Sequence, residues 1–147
     1  MITRRCFILA AAAALTGSAL PAGAQYAPRV TVYKNAACGC CGEWVKHMQA
    51  NGFRVETMNV VDVAPIRRQN GVPDALASCH TAVVGGYAIE GHVPAADVWH
   101  LLRERPAVKG LAVPGMVPGS PGMDQGPPQR YATIAFSERG SRVFAQH

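Results

Sequence analysis

Four cysteines in this 147-residue chain are spaced in a way that favours thiol or metal chemistry. Cys38, Cys40 and Cys41 lie within four residues, and Cys79 follows about half-way along the chain. Cys38 and Cys41 have the C-x-x-C spacing of a redox or metal-binding pair, whereas the adjacent Cys40 and Cys41 can pair only through a strained ring. The thiolate form of these residues serves both disulfide exchange and metal binding.

The number of thiols favours metal binding over a plain dithiol redox site. A redox site needs only Cys38 and Cys41, and a third thiol at Cys40 would invite mispairing. Four thiolates with nearby thioethers and imidazoles make a soft donor set, which is best matched to Cu(I), with Zn(II) as the main competitor. Structural zinc sites tend to use two separated C-x-x-C pairs around one ion, whereas C-x-C-C with one distant cysteine suits thiolates that bridge several Cu(I) ions.

Hydrophobic periodicity predicts the elements that position these cysteines. Alternating β-branched residues predict a strand over 29–34, and an apolar stripe at Cys41, Trp44, Val45 and Met48 predicts a helix that ends at Asn51-Gly52. The elements that follow are a strand over 53–60, a short helix over 64–69 with a further turn at 73–77, a β-hairpin over 81–84 and 87–90, a helix from Pro94 to Arg105, a Pro/Gly/Met-rich loop over 114–129, and two short strands around 131–136 and 142–145.

The order β-α-β-α-β-β-α is that of a thioredoxin-like α/β domain. In this order the first two strands are parallel, and the hairpin adds antiparallel strands to the same sheet. The segments that carry Cys38, Cys79-His80 and Gly91-His92 should then meet at one edge. Cys38 must precede the first helical turn for Cys40 to face it, because residues two apart on a helix do not face each other. Thioredoxin-type redox sites commonly have a cis-proline where this sequence has Ser78-Cys79-His80, which again favours metal binding.

Histidines and methionines near this edge are candidate additional ligands. His80 and His92 are both assigned to the site, although neighbouring strand residues point to opposite faces, so His80 either binds metal or only lines the site. Met116 and Met123 belong to a repeated Pro-Gly-Met tripeptide in the long loop. They are candidates for weak thioether ligands or for a lid that excludes water, and for Met123 packing on the core is an equal alternative.

Other residues of these types are predicted to lie away from the metal. His47 and His100 fall on the polar sides of their helices and are predicted to be solvated. Met48 and Met58 lie within regular apolar patterns and are predicted to be core residues. Trp44 is predicted to pack beneath the site.

Residues 1–24 have the pattern of an export signal. A basic start with Arg4 and Arg5 precedes an apolar run that is too short to span a bilayer, and Ala22-Gly23-Ala24 is an A-x-A-type cleavage site. The paired arginines fit either a twin-arginine signal or the basic start of a general secretory signal. Residues 25–147 are then a single mature domain, periplasmic or extracellular, without a stable membrane span. Cleavage also removes the fifth cysteine, Cys6.

Composition limits the function classes further. Hydrophobic residues make up 49% of the chain and charged residues 16%, which is a globular composition and excludes intrinsic disorder. The 14 basic residues include Arg4 and Arg5, so the mature chain carries 12 basic against 9 acidic residues. This ordinary charge, together with only 7% aromatic residues, argues against a nucleic-acid-binding surface.

Four motifs resemble those of the CopG-type periplasmic copper-resistance proteins, a family long catalogued as a domain of unknown function. They are Val32-Tyr33-Lys34 leading to Cys38-Gly39-Cys40-Cys41-Gly42, Ser78-Cys79-His80-Thr81-Ala82-Val83, Glu90-Gly91-His92-Val93-Pro94, and Gly110-Leu111-Ala112-Val113-Pro114-Gly115-Met116. The resemblance covers essentially the whole mature chain. It implies a thioredoxin-like fold, a Cu(I) cluster bridged by Cys38, Cys40, Cys41 and Cys79, and a role in copper tolerance with copper redox interconversion as a further activity.

The sequence therefore predicts a periplasmic protein that holds several Cu(I) ions in a thiolate cluster, with other periplasmic copper-handling or efflux proteins as candidate partners. Four alternatives stay open: a thiol-disulfide oxidoreductase that uses Cys38 and Cys41, a copper-dependent oxidoreductase that cycles Cu(I) and Cu(II), a zinc-binding protein, and a passive copper chaperone. His80 and His92 favour a redox role over storage, because neutral imidazoles help to accommodate Cu(II).

Overall fold

A computed structural model describes residues 27–147, and in this range seven strands form one mixed sheet with three α-helices. The elements are β1 (Arg29–Lys34), α1 (Gly39–Ala50), β2 (Arg54–Asn59), α2 (Ala64–Gln69), a 3-10 turn (Asp74–Leu76), β3 (His80–Val84), β4 (Tyr87–Gly91), α3 (Ala95–Glu104), β5 (Gly110–Val113), β6 (Ala132–Ser137) and β7 (Gly140–Gln146). The predicted export signal over 1–24 lies outside the described residues.

The sheet order is β2-β1-β3-β4-β5-β6-β7. As predicted, β1 and β2 are parallel and the β3–β4 hairpin adds antiparallel strands beside β1. The helix α3 then crosses over to β5, which is parallel to β4, and β6 and β7 complete the sheet as antiparallel strands. The predicted element order through α3 is confirmed, and the architecture is a mixed α/β fold.

Strand β5 was not predicted from the sequence. Its four residues are all buried, so the segment lacks the polar alternation that marks a half-exposed strand. The loop from Pro114 to Gln129 was predicted correctly, since no helix or strand occurs between β5 and β6 in this part of the structure.

Two apolar clusters lie on opposite faces of the sheet. The larger cluster combines sheet residues such as Val32, Ile89 and Leu111 with the buried faces of α1 and α3. The smaller one contains Ala88 and Ala112, which alternate with Ile89 and Leu111 along the same strands and so point to the other side. Helices α1 and α3 therefore share one face of the sheet and contact each other there.

The ligand-bearing segments meet because of strand register. Lys34 at the end of β1 pairs with His80 at the start of β3. Thr81 pairs with Glu90, so the end of β4 lies beside the start of β3. The chain before α1, the start of β3 and the end of β4 consequently share one sheet edge, as expected from the predicted topology.

Two predictions about individual side chains were wrong. Met58 is 45% exposed rather than buried, because β2 is an edge strand of the sheet. His47 is half-buried rather than solvated, and its Nε2 accepts a hydrogen bond of 3.0 Å from the backbone N–H of Ala95. Ala95 is the first residue of α3, so His47 satisfies one of the backbone donors that a helix start leaves unpaired. The contact joins α1 to α3.

The His47 contact predicts a loss of stability in acid. Burial lowers the pKa of His47 in the folded protein, whereas the unfolded chain takes up a proton near the ordinary value of 6.5. The unfolded state therefore binds more protons as the pH falls through this value, and the free energy of unfolding decreases. Chemical denaturation at about pH 7.5 and about pH 5.5 should show a smaller acid-induced loss for His47→Gln than for wild type. His100→Gln, at an exposed position of α3, serves as the control. Equal losses in wild type and His47→Gln would contradict this assignment.

Candidate metal centre

Cys38 lies just before the first turn of α1. Its backbone is extended (φ −76°, ψ 97°), and the helix begins at Gly39. A turn closed by the Cys38 N–H and the Asn35 carbonyl, 3.1 Å apart, leads into this position. Because Cys38 is outside the helix, its sulfur lies 3.5 Å from that of Cys40. Cys38 therefore precedes the first helical turn and faces Cys40, as the sequence analysis required.

The four cysteine sulfurs form one cluster. All of them lie within 4.8 Å of one another. Cys38 and Cys41 are joined by a disulfide, whereas Cys40 and Cys79 are free thiols whose sulfurs are 4.0 Å apart. This pairing is the one expected of a C-x-x-C motif, and all four sulfurs can act as thiolates only after the disulfide is reduced.

Both candidate histidines lie at the same cluster. The Cys79 sulfur is 3.4 Å from Nδ1 of His80 and 3.1 Å from Nε2 of His92. Cys79 and His80 contact each other although they are neighbours in the chain, because Cys79 precedes β3 and is not bound by the alternation within that strand. Cys79, His80 and His92 thus form a second possible donor group that shares Cys79 with the sulfur cluster.

The ring of His92 is oriented by the long loop between β5 and β6. Its Nδ1 lies 2.8 Å from the Pro121 carbonyl oxygen, which can only accept a hydrogen bond, so Nδ1 carries the proton. Burial lowers the pKa of His92 and favours the neutral ring. In a neutral ring protonated at Nδ1, Nε2 offers its lone pair towards Cys79, which is the tautomer that metal binding through Nε2 requires.

His80 is a fully buried imidazole beside Trp44. Burial first, and the neighbouring His92 second, lower the pKa of His80 to about 3, so the ring is neutral. Its Nε2 has no hydrogen-bond partner among the described residues. The Trp44 ring lies 4.5 Å from that of His80 and is anchored by an indole N–H that donates to the Val93 carbonyl, so Trp44 packs beneath the site as predicted.

Cys79 is also held in its neutral form in the absence of a cation. Burial, followed by the charge of Cys40, raises the pKa of the Cys79 thiol to about 12. The site therefore presents soft sulfur donors and neutral imidazoles, one of which has a buried nitrogen without a partner. This donor set fits a soft cation such as Cu(I), with Zn(II) as the competitor.

Met116 and Met123 line an open cleft of about 530 Å³ that leads to Cys40. Met116 is 57% exposed, and Met123 is partly buried. The structure thus brings Met116 to the mouth of the site but not into the compact group of cysteines and histidines.

Sequence reasoning missed the polar residues that hold this site together. Glu90 is fully buried and forms an ion pair with Arg67, with 2.7 Å between Nε and Oε1. The same Oε1 accepts a hydrogen bond from the backbone N–H of Ser78, the residue before Cys79. A glutamate near the end of an otherwise apolar strand pattern was the available signal, since such a charge is buried only with partners.

The approach of the loop to α1 predicts a marked effect of a methyl group at Gly122. A Cβ there would lie 2.8 Å from the Cys40 carbonyl oxygen and 2.8 Å from the Trp44 backbone nitrogen, and φ is +84°. Gly126 has the same backbone strain (φ +85°), but a Cβ there would meet nothing within 4 Å. Gly126→Ala should therefore cost only the left-handed strain of about 1–2 kcal/mol. Gly122→Ala should cost about 1–3 kcal/mol more, the usual range for overpacking. Equal free energies of unfolding for the two variants, measured in urea, would contradict this packing.

Comparison with known proteins places these features in a family. Residues 76–123 match a family described as a protein of unknown function, DUF411. No curated protein matches the chain. In the described residues, no helix is long and apolar enough to cross a membrane.

Two solved structures are similar over most of the chain, and both are of a copper resistance protein CopG. Form 2 of that protein is 42% identical, with 82% of this chain and 98% of the other covered and a TM-score of 0.78. Form 1 is 43% identical, with 81% and 96% covered and a TM-score of 0.76. At this identity and coverage, the chain that carries this four-cysteine cluster belongs to the DUF411 family of CopG-like copper resistance proteins.

Proposed function

We propose that the mature protein, residues 25–147, binds Cu(I) in a thiolate cluster and contributes to copper tolerance in the periplasm. The observation that carries this proposal is the meeting of four cysteine sulfurs and two neutral imidazoles from three separate segments within a few ångströms. The similarity to copper resistance proteins supports copper as the metal. The signal pattern over 1–24 supports export, by either the twin-arginine or the general secretory route.

Each candidate ligand has a distinct place in this proposal. Cys40 and Cys79 supply thiolates directly, and Cys38 and Cys41 do so once their disulfide is reduced. His80 and His92 supply neutral nitrogens next to the Cys79 sulfur. Met116 contributes a thioether at the open mouth, where the cleft gives access to Cys40. When bound, copper would supply one-electron redox chemistry that the protein groups alone lack.

The proposed architecture is thioredoxin-like. The element order through α3 and the mixed strand directions support this assignment. Strand β5, the long loop and the β6–β7 hairpin then form an addition to that core. The loop adds Pro121 and the two methionines to the site edge.

One observation favours a second candidate function. The Cys38–Cys41 disulfide at the start of a helix is what a thiol-disulfide oxidoreductase would use. Such an enzyme should retain its activity when Cys40 and Cys79 are both replaced by serine. A copper site should lose metal with the same replacements.

Copper stoichiometry separates these functions. Protein that is fully reduced under anaerobic conditions should bind more than one Cu(I) per chain, with all four thiols protected from alkylation. Protein that keeps the Cys38–Cys41 disulfide should bind fewer, because two of the four sulfurs are withdrawn from the donor set. Elemental analysis and thiol titration on the same samples make the measurement. Little copper in the reduced protein would favour the dithiol oxidoreductase.

Replacing Cys79 with serine tests the shared donor. Among the cysteines that the structure describes, Cys79 is the one that contacts both His80 and His92, so its loss should lower the Cu(I) stoichiometry and weaken the remaining binding. Ser137→Ala, on β6, is a matched control for a small polar side chain outside the cluster. Unchanged loading of Cys79→Ser would remove that residue from the ligand set.

Loading with Zn(II) and an assay for redox turnover distinguish a zinc protein, a passive chaperone and a copper-dependent oxidoreductase, since turnover should require copper.

A further inference from the structure

We infer that Glu90, supported by Arg67, is a positioning residue that fixes Cys79 relative to His92. This inference rests on the proposed copper-binding function, because it concerns how two of the proposed ligands are held. Neither Glu90 nor Arg67 contacts the sulfur cluster in the described hydrogen bonds and ion pairs. Their effect on the site passes through the Ser78 backbone.

Both backbone polar groups of Ser78 are bound to this ion pair. Glu90 Oε1 accepts the Ser78 N–H at 2.7 Å, and Arg67 Nη2 donates to the Ser78 carbonyl at 2.6 Å. The two side chains are joined by the 2.7 Å contact between Arg67 Nε and Glu90 Oε1. Ser78 is thus held at both ends of the residue by one charge-assisted network. Cys79 is the next residue and lies between this anchor and the first residue of β3.

Glu90 is itself rigidly placed. It lies within β4, its side chain is fully buried, and its second oxygen accepts a hydrogen bond of 2.6 Å from the Thr81 hydroxyl. Thr81 is the cross-strand partner of Glu90 in the β3–β4 hairpin. The carboxylate therefore has three donors, from α2, from β3 and from the segment before β3. A side chain held in this way transmits the position of β4 to the Ser78 backbone.

The same short stretch of β4 leads directly to His92. Gly91 follows Glu90 and has φ +70°, and a Cβ at this position would lie 2.5 Å from Ser78 Oγ and 2.6 Å from the Val113 carbonyl oxygen. The missing side chain lets Ser78 pack directly against β4. Glu90 therefore fixes the segment that carries Cys79 through its contact with Ser78. Glu90 is itself part of the segment that carries His92. The 3.1 Å separation of the Cys79 sulfur and His92 Nε2 is set by this arrangement.

The ion pair between Arg67 and Glu90 is better explained by its effect on the position of Cys79 than by its contribution to folding stability. Replacing a buried ion pair by apolar residues of similar volume is often neutral or stabilising, so a pair of this kind adds little to folding by itself. Residues that orient metal ligands from behind, in contrast, commonly change metal affinity by about 10- to 100-fold when they are altered. Arg67 and Glu90 occupy such a position behind Cys79.

The first test compares Glu90→Gln with Asp97→Asn. Asp97 is a carboxylate on α3 with a side chain that is also largely buried, and it accepts hydrogen bonds from Thr133 and His147, away from the cluster. Glu90→Gln should lower the Cu(I) affinity of the reduced protein by about 10- to 100-fold. Asp97→Asn should leave that affinity within a factor of about two, a difference of under 1 kcal/mol, even where both variants unfold more easily. Equal affinities in Glu90→Gln and wild type would overturn the inference.

A mutant cycle with Cys79→Ser shows whether Glu90 acts through Cys79. If it does, Glu90→Gln should have little further effect on Cu(I) affinity once Cys79 is already serine. Full additivity of the two changes would overturn the inference. Where Glu90→Gln fails to fold, the variant R67M/E90L removes the anchor while it keeps the buried volume. A folded R67M/E90L protein with wild-type copper affinity would likewise overturn it.

A readout without copper separates this inference from the proposed function. In a background with Cys38, Cys40 and Cys41 all replaced by serine, Cys79 is the one remaining thiol in residues 25–147. Alkylation of Cys79 by iodoacetamide should become several-fold faster with Glu90→Gln, because the Ser78–Cys79 segment is released, and should stay unchanged with Asp97→Asn. An unchanged rate in both would overturn the inference. A wild-type protein that binds no Cu(I) would overturn the proposed function, and the alkylation rates would still decide the role of Glu90.

Discussion

The buried carboxylate of Glu90 is the constraint on which the geometry of the site depends. It sits within the sheet, has donors from α2, β3 and the chain before Cys79, and precedes His92 by two residues. Removing one partner of a buried ion pair usually costs about 3–5 kcal/mol, because the other charge is left without compensation. The pair must therefore be kept or replaced as a unit. Arg67, on a helix that carries none of the candidate ligands, therefore affects the spacing between Cys79 and His92.

The opposite side of the site depends on how α1 begins. Cys38 stands outside the helix, so that its sulfur reaches Cys40 as well as Cys41. The long loop then closes against this helix end at Gly122, where only a residue without a side chain fits against the α1 backbone. The same loop also orients His92 through the Pro121 carbonyl. The position of the loop therefore affects both the start of α1 and the ring of His92.

The local sequence pattern was sufficient for most of the fold. Strand β1 and helix α2 have the predicted bounds, and the hairpin register brings Cys38, Cys79 and His92 to one edge as the topology required. Strand β5 escaped prediction because a four-residue strand buried on both faces has no alternation. The hydrogen bond of His47 and the partners of Glu90 come from elements far apart in sequence, so no periodicity could indicate them. Met58 was misplaced because periodicity does not tell an edge strand from a central one.

The two free thiols, Cys40 and Cys79, favour the copper function over the dithiol function. A dithiol oxidoreductase requires Cys38 and Cys41 alone, yet Cys40 lies 3.5 Å from one sulfur of that disulfide and Cys79 lies 4.0 Å from Cys40. Thiols at such positions can attack the disulfide and divert it to other pairings. A soft metal site uses all four sulfurs, and it also explains why neutral imidazoles and a dedicated anchor converge on Cys79. Under the proposed copper function, the Cys38–Cys41 disulfide is an oxidised form of the cysteine cluster, in which two of the four sulfurs are withdrawn from the donor set.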